Sequence, residues 1–163
     1  VTIESTRRTA EISRIGLYYC PELDGTASAT KEYISSSSWS IADGTGKRLF
    51  DNDIRSIWKS ADMQPIVVNM GQELAISGFT YVPAETVGAE GVVTKYRIYV
   101  SNDATVWTQM GGEREFENIR NNPIAQNVRF ETPVKARYIK FEPTETTDNN
   151  GTFTVAEFGA IIK

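Results

Sequence analysis

The sequence predicts an all-β domain in which antiparallel strands pack as a sandwich or a barrel. Short segments alternate between apolar and polar residues, as strands with one buried face do. Turn-forming residues such as Asn102 and Asp103 separate these segments. Beyond a turn or two, no segment shows a helical period. The 163 residues are enough for one domain with a hydrophobic core.

The first strands are expected in the segments 64–71 and 74–83. The run 64–71 is apolar, as in a strand that is covered on both faces. The segment 74–83 changes phase, because its apolar residues continue on the opposite face after Gly78. A bulge at Ser77 and Gly78 would return all four large apolar residues to one face. These four residues are Leu74, Ile76, Phe79 and Tyr81.

Further strands follow a hairpin. In 94–101 and 126–131 every second residue points its apolar side chain to one face. The segment 101–107 predicts a hairpin turn, with asparagine and aspartate tolerating left-handed backbone. The segment 136–143 is rich in strand-forming residues, and the strand is expected to end at Pro143.

The remaining segments are less regular. The stretch 56–63 is long enough for one short helical turn. The stretch 113–122 mixes charges and indicates a solvated loop. Trp39 and Trp107 are both expected in the core.

Composition excludes several functions. The net charge of −4 argues against nucleic-acid binding, which needs a basic surface. With no histidine, the chain cannot build a Ser-His-Asp or Cys-His nucleophile system by itself. The lone Cys20 can form neither an internal disulfide nor a structural zinc site. No apolar run is long enough to span a bilayer, and no signal peptide is present, so we expect a mature or excised piece.

The stretch DNDIRSIW at 51–58 holds the strongest site signal. In a curled loop, Asp51, Asp53 and Ser56 would place three oxygens around one point, and calcium takes six to eight oxygen ligands. The alternative is a turn in which the two aspartates cap backbone amides. Spacing alone leaves both interpretations open.

This stretch resembles the Asp-Gly-Asp-x-x-Thr-x-Trp loop of the discoidin, or coagulation factor 5/8 type C, domains. It is similar in particular to the family 32 carbohydrate-binding modules of bacterial, Bacteroides-like glycosidases such as hexosaminidase (chitobiase) or fucosidase. The resemblance covers about residues 24–163 and implies an antiparallel jelly-roll β-sandwich of the galactose-binding-like type. The other matching segments are PIVVNMG (65–71), ISGFTYVP (76–83), VVTKYRIYVSNDATVWTQM (92–110), VKARYIKFEP (134–143) and TVAEF (154–158).

Residues 1–23 precede the matching part of the chain. One interpretation is that they are a linker or the last strand of a preceding domain. The other is that they form an extra strand packed on this sandwich.

The resemblance implies a structural calcium ion that pins the loop to the last strand. Asn52 replaces the usual glycine, and asparagine also tolerates left-handed backbone. Ser56 replaces threonine and keeps the hydroxyl group. Trp58 is then expected in the core beneath the loop. The implied ligands are the side chains of Asp51, Asp53, Ser56 and Glu157 and the carbonyl groups of Arg48 and Ala156.

The resemblance also implies a sugar site at one end of the sandwich. Its loop 146–153 would supply Asn150 and an exposed aromatic ring, Phe153. Lys59 stands where relatives often have a histidine, and Glu85 follows the position where they often have an arginine, which is Ala84 here. Each residue has a plainer alternative: core packing for Phe153, turn chemistry for Asn150 and a solvated side chain for Lys59.

The expected function is therefore that of a non-catalytic, monomeric carbohydrate-binding module fused to a glycoside hydrolase. It would bind a terminal monosaccharide or short oligosaccharide glycan, in the extracellular space, the periplasm or at the outer-membrane surface of a bacterium. One alternative is a protein-interaction or adhesion domain with a lost sugar site. Membrane insertion is not expected, because the loops 84–91 and 146–153 are mostly polar. Another alternative is an enzyme with Asp51 and Asp53 as an acid and base pair, although carboxylates at this spacing are better explained as metal ligands.

Overall fold

The structure is a computed structural model and describes residues 33–42, 44–84 and 90–162. These residues form strands and one short 3₁₀ helix, so the predicted all-β class is confirmed. No helix among them has the length and apolar composition needed to cross a membrane. The expectation for residues 1–23 lies outside the described part. The strands are β1 Ser40–Ile41, β2 Trp58–Lys59, β3 Ile66–Val82, β4 Val93–Ser101, β5 Thr108–Gln109, β6 Arg114–Glu115, β7 Gln126–Thr146, β8 Thr154–Val155 and β9 Glu157–Ile162; the 3₁₀ helix is Gly46–Leu49.

Two long strands, β3 and β7, organise the sandwich. These two strands are neighbours in a seven-stranded sheet with the order β1-β3-β7-β4-β5. In the same sheet, β6 pairs with β4 and β9 pairs with β3. All these pairs are antiparallel, as predicted. The strands β2 and β8 form a separate antiparallel pair. This small pair brings residues just after the 51–58 loop against the C-terminal part of the chain.

The predicted bulge in β3 is confirmed. The register of β3 against both β7 and β9 shifts between Ile76 and Gly78. After the shift, Phe79 and Tyr81 are fully buried, as Ile76 is before it. A Cβ atom on Gly78 would lie 2.1 Å from the carbonyl oxygen of Val128, so only glycine fits here.

Aromatic rings fill the core. Phe79 is the centre, with ring centroids of Tyr96, Phe141 and Phe158 at 5.5, 5.9 and 5.7 Å. Edge-to-face and offset packing at these distances favours aromatic clusters. Trp39 is buried, as predicted.

The prediction for Trp107 is wrong, because its side chain is half-buried on the outer face of the sheet. The ammonium group of Lys140 lies 4.6 Å from its ring centroid and 4.3 Å from that of Tyr99. Trp107 thus packs beside Lys140 through a cation–π contact and is not among the buried core residues.

The 101–107 hairpin is confirmed, with a difference in detail. The residue with left-handed backbone is Ala104, at φ 60°, rather than Asn102 or Asp103. Asp103 instead accepts two backbone N–H bonds within the turn on one carboxylate oxygen, at 2.8 and 2.9 Å. These bonds hold the pKa of the Asp103 carboxyl well below its usual value.

Three local expectations are wrong. The segment 56–63 contains β2 rather than a helical turn, which lies earlier, at Gly46–Leu49. The stretch 113–122 is not wholly solvated, because Phe116 and Ile119 are buried. The segment 64–71 was expected to be buried on both faces, but at the start of β3 buried residues alternate with partly exposed ones.

The strand β7 also continues past Pro143 to Thr146 instead of ending there. Pro143 is tolerated because it sits where the register between β4 and β7 is irregular. Proline inside a sheet is confined to such irregular or edge positions.

Candidate functional site

The 51–56 loop is curled, and its Ser56 hydroxyl group meets two other oxygen-bearing groups. The hydroxyl group of Ser56 donates to Asp51 Oδ2 at 2.7 Å. The same hydroxyl oxygen lies 3.4 Å from the carbonyl oxygen of Arg48. A carboxylate, a hydroxyl and a carbonyl group therefore converge at one point, although they lie up to eight residues apart.

Glu157 joins this loop to the last strand. It is the first residue of β9 and is fully buried. Its Oε2 atom accepts the backbone N–H of Asn52 at 3.1 Å. Asn52 adopts left-handed backbone at φ 61°, which explains how it substitutes for a glycine. A buried carboxylate needs partners that compensate its charge, so the position of Glu157 beside the loop indicates a polar site there.

The Asp53 carboxylate binds Arg55 within the loop. Its Oδ1 atom accepts the backbone N–H of Arg55 and the Nε–H of the same side chain, both at 3.0 Å. These hydrogen bonds lower the pKa of the Asp53 carboxyl. Asp51 Oδ1 accepts the backbone N–H of Asp53 at 3.0 Å. The two aspartates thus cap backbone amides as well, which was the alternative interpretation of this stretch.

The donor set fits a calcium ion. Every group that converges here presents oxygen, and calcium prefers carboxylate, carbonyl and hydroxyl oxygens. The described residues contain no group of three or more His, Cys, Asp or Glu side chains that could hold a metal. A cation here would therefore depend on carbonyl groups in addition to Asp51 and Glu157. The backbone of Ala156 is fixed nearby by its N–H bond to the carbonyl oxygen of Val82, at 2.9 Å.

Two residues of the expected sugar site line one cleft. Lys59 and Asn150 both line a cleft of 160 Å³ beside the β2–β8 pair. The other residues of this cleft are Ile57, Glu90, Gly91, Thr152 and Thr154. Two hydrogen bonds hold Glu90 and Gly91 beside Thr154. The backbone N–H of Thr154 donates to the carbonyl oxygen of Gly91 at 2.9 Å, and the Thr154 hydroxyl group donates to the carbonyl oxygen of Glu90 at 3.2 Å.

The turn chemistry expected as the alternative for Asn150 is present. Its Nδ2 donates to Asp148 Oδ2 at 2.8 Å, and its Oδ1 accepts from the backbone and the hydroxyl group of Thr152. Asp148 Oδ2 also accepts the backbone N–H of Gly91 at 3.0 Å. The loop is thus fixed internally, while the Asn150 side chain stays exposed at the cleft. An amide nitrogen has two donors, so one remains for a ligand.

The expected exposure of Phe153 is wrong. The side chain is fully buried, and its ring packs edge-on against Trp58 with centroids 5.5 Å apart. Its backbone N–H donates to Ser60 Oγ at 2.7 Å, and its carbonyl group accepts the N–H of Ser60 at 2.9 Å. These bonds extend the β2–β8 pair by one residue and direct the ring inward. The plainer alternative, core packing, is the one observed, and Trp58 is in the core as predicted.

Of the two positions 84 and 85, the structure describes only the first. Ala84 is buried, and Glu85 lies outside the described residues.

Sequence reasoning missed a second, larger cleft. Its volume is 560 Å³, and it shares Ile57 and Lys59 with the first. Its other lining residues are Gly44, Thr45, Lys47, Arg48, Trp58 and Ala61. The only signal in the sequence is the Lys47-Arg48 pair, and nothing local places this pair beside Lys59.

A family model supplies the identity of the fold. The F5/8 type C domain model matches residues 26–158. The chain belongs to the F5/8 type C domain family. No curated protein matches the chain.

Solved structures of F5/8 type C domains and family 32 modules share this fold. CBM32-3 from a family 31 glycoside hydrolase of Clostridium perfringens is 25% identical, with a TM-score of 0.66 over 80% of this chain and 95% of that chain. The family 32 module of C. perfringens NanJ in complex with galactose is 23% identical, with a TM-score of 0.61 over 76% and 91%. A putative α-L-fucosidase from Bacteroides ovatus is 31% identical, with a TM-score of 0.55 over 66% of this chain and 18% of that chain.

Proposed function

We propose that this F5/8 type C domain is a non-catalytic carbohydrate-binding module that targets an attached glycoside hydrolase to glycans. The fold is that of family 32 carbohydrate-binding modules, one of which was solved with galactose. The observation that carries the proposal is the cleft that Lys59 and Asn150 both line. Clefts that bind small ligands combine apolar walls with a few polar groups that fix orientation.

The cleft has the chemistry for hydroxyl groups. Lys59 offers three donors, Asn150 offers an amide N–H, and Thr152 and Thr154 line the floor. Ile57 provides apolar surface for the C–H face of a sugar ring. The fully buried Phe153 does not take part in stacking.

Attachment to a hydrolase is supported by the neighbours. One is a module of a family 31 glycoside hydrolase, and another match covers only 18% of a putative fucosidase. Such a module raises the local concentration of its catalytic partner on a glycan. A single small cleft gives weak affinity, with a dissociation constant on the order of micromolar to millimolar. We propose an extracellular, periplasmic or outer-membrane surface location, where such glycans are found.

A structural calcium ion is part of the proposal. Arg48, Asp51, Ser56 and Glu157 would hold it, with Asp53 and Ala156 adjacent. When bound, the ion would supply positive charge that compensates the buried carboxylate and would tie the loop to β9. A role of Asp51 and Asp53 as an acid and base pair is not favoured, because Asp51 binds Ser56 and Asp53 binds Arg55.

A glycan array followed by titration calorimetry of the purified chain, with calcium present, tests the proposal. We expect binding of one class of glycan that weakens ~10-fold in Asn150→Ala, since a hydrogen bond that orients a ligand is lost. Lys135→Ala is the control, because Lys135 is exposed on β7 and lines neither cleft. A folded protein that binds no glycan at millimolar concentration would overturn the proposal.

A further inference from the structure

Three cationic side chains surround the larger cleft. Lys47 and Arg48 come from the 3₁₀ helix Gly46–Leu49, and Lys59 comes from β2. All three residues are exposed, and they are the charged residues among its described lining. The described lining of this cleft includes no carboxylate.

Four other cationic side chains in the described part of the chain form ion pairs with carboxylates. Lys95, Arg97 and Arg120 each lie within ion-pair distance of a glutamate. Arg55 likewise pairs with Asp53. The three cleft cations form no ion pair with any described residue. Among the described residues, the larger cleft is therefore lined by three cations and no carboxylate, whereas Glu90 shares the smaller cleft with Lys59.

Hydrogen bonds fix the Arg48 guanidinium group and part of the cleft wall. Arg48 Nη1 donates to the carbonyl oxygen of Ile57 at 3.1 Å, which holds the guanidinium group against the cleft wall. Trp58 Nε1 donates to the hydroxyl oxygen of Thr45 at 3.2 Å and ties β2 to the segment before the 3₁₀ helix. Arg48 retains further N–H donors, because a guanidinium carries five.

Lys59 links the two clefts. It lines the smaller cleft with Asn150 and the larger cleft with Lys47 and Arg48. A sugar ring in the smaller cleft would therefore place a substituent toward the cationic one. The substituent that such an arrangement favours is an anion, since charge-assisted hydrogen bonds to carboxylate or sulfate are stronger than neutral ones.

We infer that the module's ligand is an anionic saccharide whose carboxylate or sulfate group is bound by Lys59, Lys47 and Arg48. This inference rests on the proposed carbohydrate-binding function and names the class of sugar. Uronic acids, sialic acids and sulfated sugars share the chemistry, and the experiment separates carboxylate from sulfate.

The test uses matched ligand pairs in calorimetric titrations of the purified chain. One pair is digalacturonate and its methyl ester, which keeps the rings and removes the charge. The other pair is galactose 6-sulfate and galactose. We expect one acidic member to bind ~10-fold tighter than its neutral partner at low salt, with the difference shrinking as ionic strength rises. A sulfate preference and a carboxylate preference both support the inference and identify the group.

Charge-removing variants locate the effect. Lys47→Gln and Lys59→Gln are expected to lose most of the difference between acidic and neutral ligands, by ~3-fold to ~10-fold each. Lys135→Gln carries the same charge change on a distant exposed site and should keep the difference. Circular dichroism confirms folding of each variant.

Two outcomes overturn the inference and leave the proposed function intact. In the first, acidic and neutral ligands bind with equal affinity. In the second, Lys135→Gln weakens binding as much as Lys59→Gln does, which would mean general charge attraction. If a folded protein binds no glycan of an array, charged or neutral, the proposed function itself fails, and the inference fails with it.

Discussion

At the scale of single residues, Phe153 shows how a residue can be identified and its role mistaken. The sequence NNGTF places an aromatic ring after a turn, which is compatible with a sugar platform. Whether the ring points outward depends on the pairing of β8 with β2, and this pairing joins segments more than 90 residues apart. No local pattern carries that information. Lys59 and Asn150, by contrast, are exposed polar residues that the resemblance named as candidates, and the structure places both in the lining of one cleft.

Replacing Phe153 is therefore expected to affect stability. Phe153→Ala removes a fully buried ring that packs on Trp58, so the free energy of unfolding should fall by about 3–5 kcal/mol. Urea denaturation measures the change. Val106→Ala, at a residue that is 73% exposed, is the control and should change stability by less than ~0.5 kcal/mol. A Phe153→Ala chain as stable as the parent would refute the buried position.

Two buried tyrosines predict how stability depends on alkaline pH. Burial raises the pKa of Tyr96 to about 12 and raises that of Tyr81 further, although the N–H bond from Val93 to the Tyr81 hydroxyl opposes the shift. Above about pH 10, tyrosines of the unfolded chain lose their protons while these two keep theirs. The unfolded state then binds fewer protons, so stability falls as pH rises, by up to about 1.4 kcal/mol per pH unit for each tyrosine.

The measurement is urea denaturation at several pH values between about 9 and 11.5, with the double variant Tyr81→Phe and Tyr96→Phe as comparison. The double variant should lose most of the decline. At neutral pH Tyr81→Phe alone should cost about 1–3 kcal/mol, because the N–H of Val93 and the carbonyl group of Thr154 lose a buried partner. An unchanged pH profile in the double variant would contradict the assignment.

At the scale of elements, the strands with strict alternation were predictable, and so was the bulge in β3. The bulge follows from a phase change beside a glycine, which is information contained in a few neighbouring residues. The burial of Phe116 and Ile119 was not predictable, because charged neighbours surround them and the surface that covers them comes from other strands. The length of β7 was also missed, since the tolerance of Pro143 depends on the register of β4.

The close packing at the bulge predicts that an alanine substitution destabilises the protein at Gly78 but not at Gly112. Gly78→Ala would bring a Cβ atom to 2.1 Å from the backbone oxygen of Val128, so either strand must move. We expect a loss of stability of about 1–3 kcal/mol or more. Gly112→Ala is the matched control, because no atom lies within 4 Å of its added Cβ atom and its φ is not positive. Thermal and urea denaturation of both variants would measure the contrast, and equal effects would argue against the close approach at Gly78.

At the scale of the whole molecule, the proposed metal loop and both clefts lie around the β2–β8 pair. The hydrogen bond from Asn52 to Glu157 spans 105 residues, and the pair itself joins Trp58 to Val155. Sequence reasoning could name candidates on each side of this junction. It could not bring Lys47 and Arg48 to Lys59, because that neighbourhood exists only once the 3₁₀ helix has packed against β2.

The same junction predicts that calcium stabilises the entire domain. An ion that binds the folded chain alone adds RT ln(1 + [Ca²⁺]/Kd), about 2.7 kcal/mol at ~100-fold excess over Kd. The melting temperature should therefore rise with calcium and fall with a chelator. Magnesium should have less effect, because it demands a smaller octahedral site and gives up its waters reluctantly. Differential scanning calorimetry measures both ions.

Matched carboxylate variants decide which side chains hold the ion. Asp51→Asn and Glu157→Gln should each abolish the increment that calcium adds, whatever they do to stability without it. If the Asp53 carboxylate stays with Arg55, as in this structure, Asp53→Asn should keep most of that increment. If the side chain turns toward the ion when the ion binds, the variant should lose the increment. A parent chain whose melting temperature is the same with calcium and with chelator would remove the metal from the proposal. The loop would then be a set of capped turns, with the hydrogen bond between Asn52 and Glu157 joining it to β9.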